Sequence, residues 1–284
     1  MENTVKFEEK SFAKRVKSML KVDFRRMFKS RLFYILVACA LFVPIVMNVM
    51  LTMMDGQESV NQQTGEVTVL EGPDSVWQSI GSLPIEKPDS ESAGAGMGGD
   101  AAAMGGMDVM SMCNINMAFM GVAVFVCLFI SDDFRSGYAK NLFTVRSKRS
   151  DYVVSKTLAG FFTGALMLIA YFIGAMLSGA MTGLSFDLSG LTVGNIIACM
   201  LAKIFLMLVF VSIFTLISVA AKATAWLAIC GSLGGGMLLF MMVSMITPLA
   251  STAMNVFLCL VGGALFAIGL GYASKAVLEK TSVV

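Results

Sequence analysis

The stretch Ile196-Ile-Ala-Cys-Met-Leu-Ala-Lys-Ile-Phe-Leu-Met-Leu-Val-Phe-Val-Ser-Ile-Phe-Thr-Leu-Ile-Ser-Val219 decides the fold. It carries one charge, Lys203, in a run long enough to cross a bilayer core, which takes about 20 apolar residues in a helix. Inside that core the backbone polar groups have no water to bond. A single segment must satisfy them internally, so the run is helical. Five more runs have the same character: Leu32–Met54, Met112–Ile130, Thr157–Met181, Ala223–Thr247 and Thr252–Ala273. The expectation is an all-α integral membrane protein with six transmembrane helices. The last three runs have short connectors and are expected to pack as antiparallel neighbours.

Composition agrees. The chain is 57% hydrophobic and 14% charged, against about 25% charged in soluble domains. There is no histidine, which excludes Ser-His-Asp and Cys-His catalysis and the HExxH zinc motif. No enzyme activity and no metal site is expected. Cys39, Cys113, Cys127, Cys199, Cys230 and Cys259 lie in or beside apolar runs without CxxC spacing, and read as small packing residues rather than a disulfide framework.

Orientation follows the basic residues. Ten precede the first run: Lys6, Lys10, Lys14, Arg15, Lys17, Lys21, Arg25, Arg26, Lys29 and Arg31. Arg135, Lys140, Arg146, Lys148, Arg149 and Lys156 lie between the second and third runs, and Lys222, Lys275 and Lys280 fall on the same side. The other side has only Lys87. Both termini are therefore expected in the cytoplasm of a multi-pass cell-membrane protein. Lys203 stands alone inside its run, with no acid deep in any run to pair with it. It has two readings, snorkelling to the outer interface or a polar contact in a substrate path or between subunits.

This gives a cytoplasmic interfacial segment at 1–31, a six-span membrane domain at 32–284, an external acidic loop at 55–111 and a cytoplasmic loop at 131–156. In the first, Phe12, Val16, Met19, Leu20, Phe24 and Met27 share a helical arc opposite Lys14, Arg15, Lys21, Arg25 and Arg26. That is the pattern of a helix lying among anionic headgroups or against a partner. The external loop has ten acids and one base. It offers a strand at Glu66–Leu70, Trp77 in an ordered cap, and a Gly- and Ala-rich second part. Met97, Met104, Met107, Met110 and Met112 could ligate Cu(I), but methionine is common throughout, 24 in all.

The cytoplasmic loop reads Ser131-Asp-Asp-Phe-Arg-Ser-Gly-Tyr-Ala-Lys-Asn-Leu-Phe-Thr-Val-Arg-Ser-Lys-Arg-Ser-Asp-Tyr-Val-Val-Ser-Lys156. Tyr138, Leu142 and Val145 share one helical face, Gly137 permits a sharp bend, and Ser150 is the expected N-cap of the next helix. The loop resembles that of type-2 permeases of ATP-binding-cassette (ABC) exporters. There an acid at the end of the second span precedes a glycine, a short coupling helix, an arginine-containing turn and a lysine entering the third span. Asp133, Gly137, Tyr138–Val145, Arg149 and Lys156 match in that order. Val145-Arg146 stands where the family often has a proline, and Tyr138 where it often has a threonine. In size and loop the chain is similar to permeases of peptide-antibiotic and immunity exporters, and in architecture to copper-linked permeases.

The resemblance implies a permease, with Asp133, Arg135, Gly137, Tyr138, Lys140, Leu142, Arg149 and Lys156 coupling it to a cytoplasmic ATPase. A second permease copy, identical or not, would complete the unit, with no nucleic-acid partner. The chain has no GxxxxGK[ST] loop, so ATP and magnesium would sit on the partner. Asn48, Asn114, Asn116 and Lys203 are the expected substrate path, beside Pro44. GxxxG pairs at Gly160–Gly164 and Gly231–Gly235 suggest close helix approach. A secondary transporter, or a membrane sensor or assembly factor, is the alternative class.

Overall fold

The computed structural model describes residues 11–55, 58–60, 67–69, 75–81, 114–145, 148–188 and 190–280. Its elements are α1 (Phe12–Lys29), α2 (Arg31–Met54), β1 (Glu58–Val60), β2 (Val67–Val69), a 3-10 turn (Val76–Ser79), α3 (Met117–Arg135), α4 (Tyr138–Val145), α5 (Arg149–Thr182), α6 (Val193–Ala221), α7 (Ala225–Ile246) and α8 (Ala253–Lys280). Five helices, α2, α3, α5, α6 and α8, are long and apolar enough to cross a membrane, and α7 adds a shorter apolar stretch, Ala225–Phe240. The protein is a multi-pass membrane protein whose membrane part is all-helical.

Two helices form the centre. α5 packs against α1, α2, α3, α6 and α8, and α6 packs against α3, α5, α7 and α8. Small residues permit these approaches. A Cβ on Gly174 would collide with the Leu41 carbonyl and Pro44 of α2, and one on Gly263 would lie 2.7 Å from the Phe205 carbonyl of α6. Of the two GxxxG pairs, Gly160 and Gly164 face Val211 and Met207 closely, whereas Gly231 and Gly235 sit looser, over Ile217. Of the last three spans, expected as neighbours, α6 and α7 pack together, while α8 packs on α6 rather than beside α7. α7 packs on α3 and α6, and α8 packs on α6 and α5. Glycine at the α6–α8 crossing and bonds between α7 and α3 decide these partners.

The cap expected around Trp77 is present. Val76, Trp77 and Ile80 are buried against Ala175, Ile196, Cys199 and Leu249 at the end of the bundle. The Val76 N–H donates to the Ser185 carbonyl at 3.2 Å. β2 falls within the strand expected at Glu66–Leu70 and pairs antiparallel with β1. The five clustered methionines and Cys113 lie outside the described residues. Among those described, Cys39, Cys127, Cys199, Cys230 and Cys259 are free thiols.

Boundaries move where charge is compensated. α3 begins at Met117 and runs on through Ser131–Arg135, five residues assigned to the loop by sequence. Acids at a helix C-terminus oppose the macrodipole, and here bases of α1 and α5 offset them. α5 begins at Arg149, well before Thr157, and its 34 residues reach about 51 Å, far beyond a core of about 30 Å. The expected Ser150 cap is also corrected. Lys148 occupies the N-cap position without a side-chain bond.

Candidate functional site

The charged end of the bundle is built on an elbow. α3 ends as the Ser136 N–H donates to the Asp132 carbonyl at 2.9 Å and the Gly137 N–H to Phe134 at 3.3 Å. Gly137 has φ +74°, a left-handed turn that suits a residue without Cβ. The chain then re-enters as α4. Its inner side is fixed by Ala139, which is buried, and by Leu142 and Phe143, packed on the core. The Phe143 and Tyr152 rings meet edge-on at 5.3 Å. Its outer side leaves Lys140, Asn141 and Thr144 exposed.

Beneath the elbow lies a buried ionic cluster. Lys156 Nζ is 2.7 Å from both Asp23 Oδ1 and Asp133 Oδ2, and all three side chains are fully buried. Arg26 Nη1 donates to Asp133 Oδ1 at 2.5 Å. The Tyr152 hydroxyl donates to Asp133 Oδ2 at 3.1 Å, and the Ser155 hydroxyl to Asp23 Oδ2 at 2.5 Å. Two carboxylates thus face two cations, with hydrogen bonds on the remaining lone pairs, as buried charge requires. Aromatic faces wall the cluster. Lys156 Nζ lies 4.0 Å from the Phe129 ring centre, and the Arg26 guanidinium 4.2 Å from that of Tyr138. Burial alone would lower the Arg26 pKa; the Asp133 carboxylate outweighs it and holds the guanidinium above its ordinary value. Burial, then the Asp23 charge, pushes the Tyr138 phenol up.

The coupling residues expected from sequence therefore separate into two groups. Asp133 and Lys156 are buried in the cluster, and Leu142 packs inward. Arg149 donates to the Leu278 carbonyl near the end of α8 and lies over Phe143, tying α5 to the last turns of α8. Arg135 and Lys140 are exposed. Sequence reasoning missed Asp23, Arg26, Tyr152 and Ser155. A signal for Asp23 was present: Val16, Met19, Asp23 and Met27 are all buried at helical spacing, so the lone acid of the apolar arc pointed inward. α1 is correspondingly held by α5. The pairs Arg15–Asp151 (2.9 Å), Asp23–Lys156 and Met27–Thr163 show the two helices running in the same direction.

The opposite end has a second polar cluster. Lys203 is fully buried, and its Nζ donates to Asn116 Oδ1 at 2.9 Å and Thr247 Oγ1 at 3.0 Å. Of the two readings of Lys203, the polar contact is seen: its partners are Asn116 at the start of α3 and Thr247 at the end of α7. Asn116 Nδ2 donates to Ser244 at 2.9 Å, and Asn114 Oδ1 accepts the Asn116 N–H at 2.9 Å. Asn48 is buried separately. Its amide donates to Ser178 at 2.6 Å and accepts from Ser79 of the cap at 2.9 Å. Ser79 joins the two groups, since its carbonyl accepts the Ile115 N–H at 2.8 Å. Thr247 and Ser244 were not singled out by sequence, because hydroxyl residues are ordinary in membrane helices. Among the described residues, no group of three acids, cysteines or histidines could hold a metal.

No family model matches this sequence, and no curated protein or solved structure matches the chain.

Proposed function

We propose that the chain is the permease subunit of an ABC exporter. It crosses the cell membrane six times, with α7 as the fifth span and both termini cytoplasmic. A separate cytoplasmic subunit hydrolyses ATP with magnesium, and a second permease copy completes the pathway for an amphipathic or hydrophobic peptide, lipid or drug. The observation that carries this reading is the elbow. A short helix stands at the basic end with its inner face anchored and its Lys140–Asn141–Thr144 side free for a partner.

The anchoring supports force transfer. α4 touches Arg26 through Tyr138 and Tyr152 through Phe143. Both belong to the cluster joining α1, α3 and α5, so a push on α4 moves these helices as a body. At the far end the Asn114–Asn116–Lys203 group is bonded across helices, so a substrate reaches it only when α3, α6 and α7 part there. A coupled secondary transporter is the second reading, favoured by Lys203 buried at span depth.

Affinity purification of the tagged chain from its native membrane tests the proposal. An ATPase in stoichiometric amount is expected, and it should be lost from a Lys140→Glu/Thr144→Glu variant that inserts normally. Absence of any ATPase under mild detergent overturns the proposal and favours the secondary transporter.

A further inference from the structure

A cavity of about 500 Å³ opens at the charged end between the α1–α2 corner, the last turns of α3 and the start of α7. Its position is set by polarity. Leu32 begins the apolar run of α2, Ile130 closes that of α3, and Ala225 opens α7. The cavity therefore lies at the apolar–polar boundary of three helices, the level of lipid headgroups when this end faces the membrane surface.

Its chemistry is that of an anion site over an apolar wall. Lys29 and Arg135 line it, are exposed, and have no ion-pair partner among the described residues. Arg26 also lines it but is engaged by Asp133. Asp132, the one acid in the lining, is 73% exposed. Ser131 lines the cavity at 1% exposure, and its hydroxyl has no hydrogen-bond partner among the described residues. An orphaned buried hydroxyl is costly unless a ligand satisfies it. Two helix N-termini reach the cavity, α2 through Ser30 and Leu32 and α7 through Ala225, and so do two C-termini, α1 through Arg26 and Lys29 and α3 through Asp132 and Arg135. The dipole ends therefore offset one another, and the positive charge of the lining comes from Lys29 and Arg135. Behind them Phe125 and Phe129 stack at 5.4 Å and offer an apolar wall for a glycerol and the first acyl carbons.

We infer that this cavity binds the phosphate headgroup of an anionic phospholipid, with Lys29, Arg135 and Ser131 as its recognition set. The inference needs this end at the membrane surface but no ATPase, so it stands or falls apart from the transporter reading.

The test is native mass spectrometry of the purified full chain titrated with dioleoyl-phosphatidylglycerol, dioleoyl-phosphatidylcholine or inorganic phosphate. One tight phosphatidylglycerol should bind in preference to phosphatidylcholine. Its affinity should fall about fivefold for each charge removed in Lys29→Gln and Arg135→Gln. Ser131→Ala should weaken binding without lowering thermal stability, because the hydroxyl has no protein partner to lose. Lys14→Gln/Lys17→Gln removes equal charge elsewhere on α1 and should leave binding intact. Equal binding of the two lipids, an equal loss in the α1 control, or saturation by inorganic phosphate in place of lipid would each overturn the inference.

Discussion

The two ends of the bundle bury charge in opposite ways. At one end Asp23, Asp133, Lys156 and Arg26 form a set that balances to zero, closed by Tyr152 and Ser155. At the other, Lys203 sits with neutral oxygens from Asn116 and Thr247 and no acid among the described residues within salt-bridge reach. A balanced set is robust while intact, and costly to break, because removing one member strands a buried charge. A lone cation is costly as it stands, and removing it relieves that cost at the expense of two hydrogen bonds. The first arrangement holds helices together. The second leaves one cation inside an apolar helix without a counter-charge among the described residues.

The sharpest way to break the comparison is Asp133→Ala, which strips Arg26, Lys156 and Tyr152 of a shared acceptor. We expect a loss of about 3–5 kcal/mol in reversible unfolding in mixed micelles. A loss near zero would mean that water reaches the cluster. A double-mutant cycle comes next. Lys156→Met and Asp23→Leu should each cost about 3 kcal/mol, and the pair should recover most of it, since an apolar replacement of a buried ion pair is often neutral. Additive losses would show that packing, not charge pairing, dominates.

At the opposite end, Asn116→Ala should cost about 1–3 kcal/mol by leaving Lys203 and Ser244 short of a partner. Lys203→Met should stay within about 1 kcal/mol, measured the same way. A Lys203→Met loss as large as that of Asp133→Ala would erase the difference between the two ends. The smallest effect is expected for Ser150→Ala, within about 0.5 kcal/mol. A true N-cap serine would cost about 0.5–2 kcal/mol, so a loss of that size would return Ser150 to the cap.

Much of the fold was legible because the bilayer imposes a length and a polarity on each crossing. The spans came from unbroken apolar runs, and the elbow came from Gly137 before a helical face. The site was legible in part. Asp133, Lys156 and Lys203 stood out as charges beside or within apolar runs, but their surroundings did not. Asp23 was hidden among ten bases, although its place on the apolar arc of α1 marked it as buried. Ser150 looked like a cap by type, yet cap position depends on where α5 meets α1 and α8.

By itself, then, the sequence determined that this is a multi-pass helical protein. It also determined where its charges concentrate, because hydration energy along one chain is a local property. Only the tertiary structure decided that Lys156 binds both Asp133 and Asp23, that Lys203 is held by Asn116 and Thr247, and that α8 packs on α6. Those outcomes depend on which helices meet, and that is set by small residues and polar partners far apart in the chain.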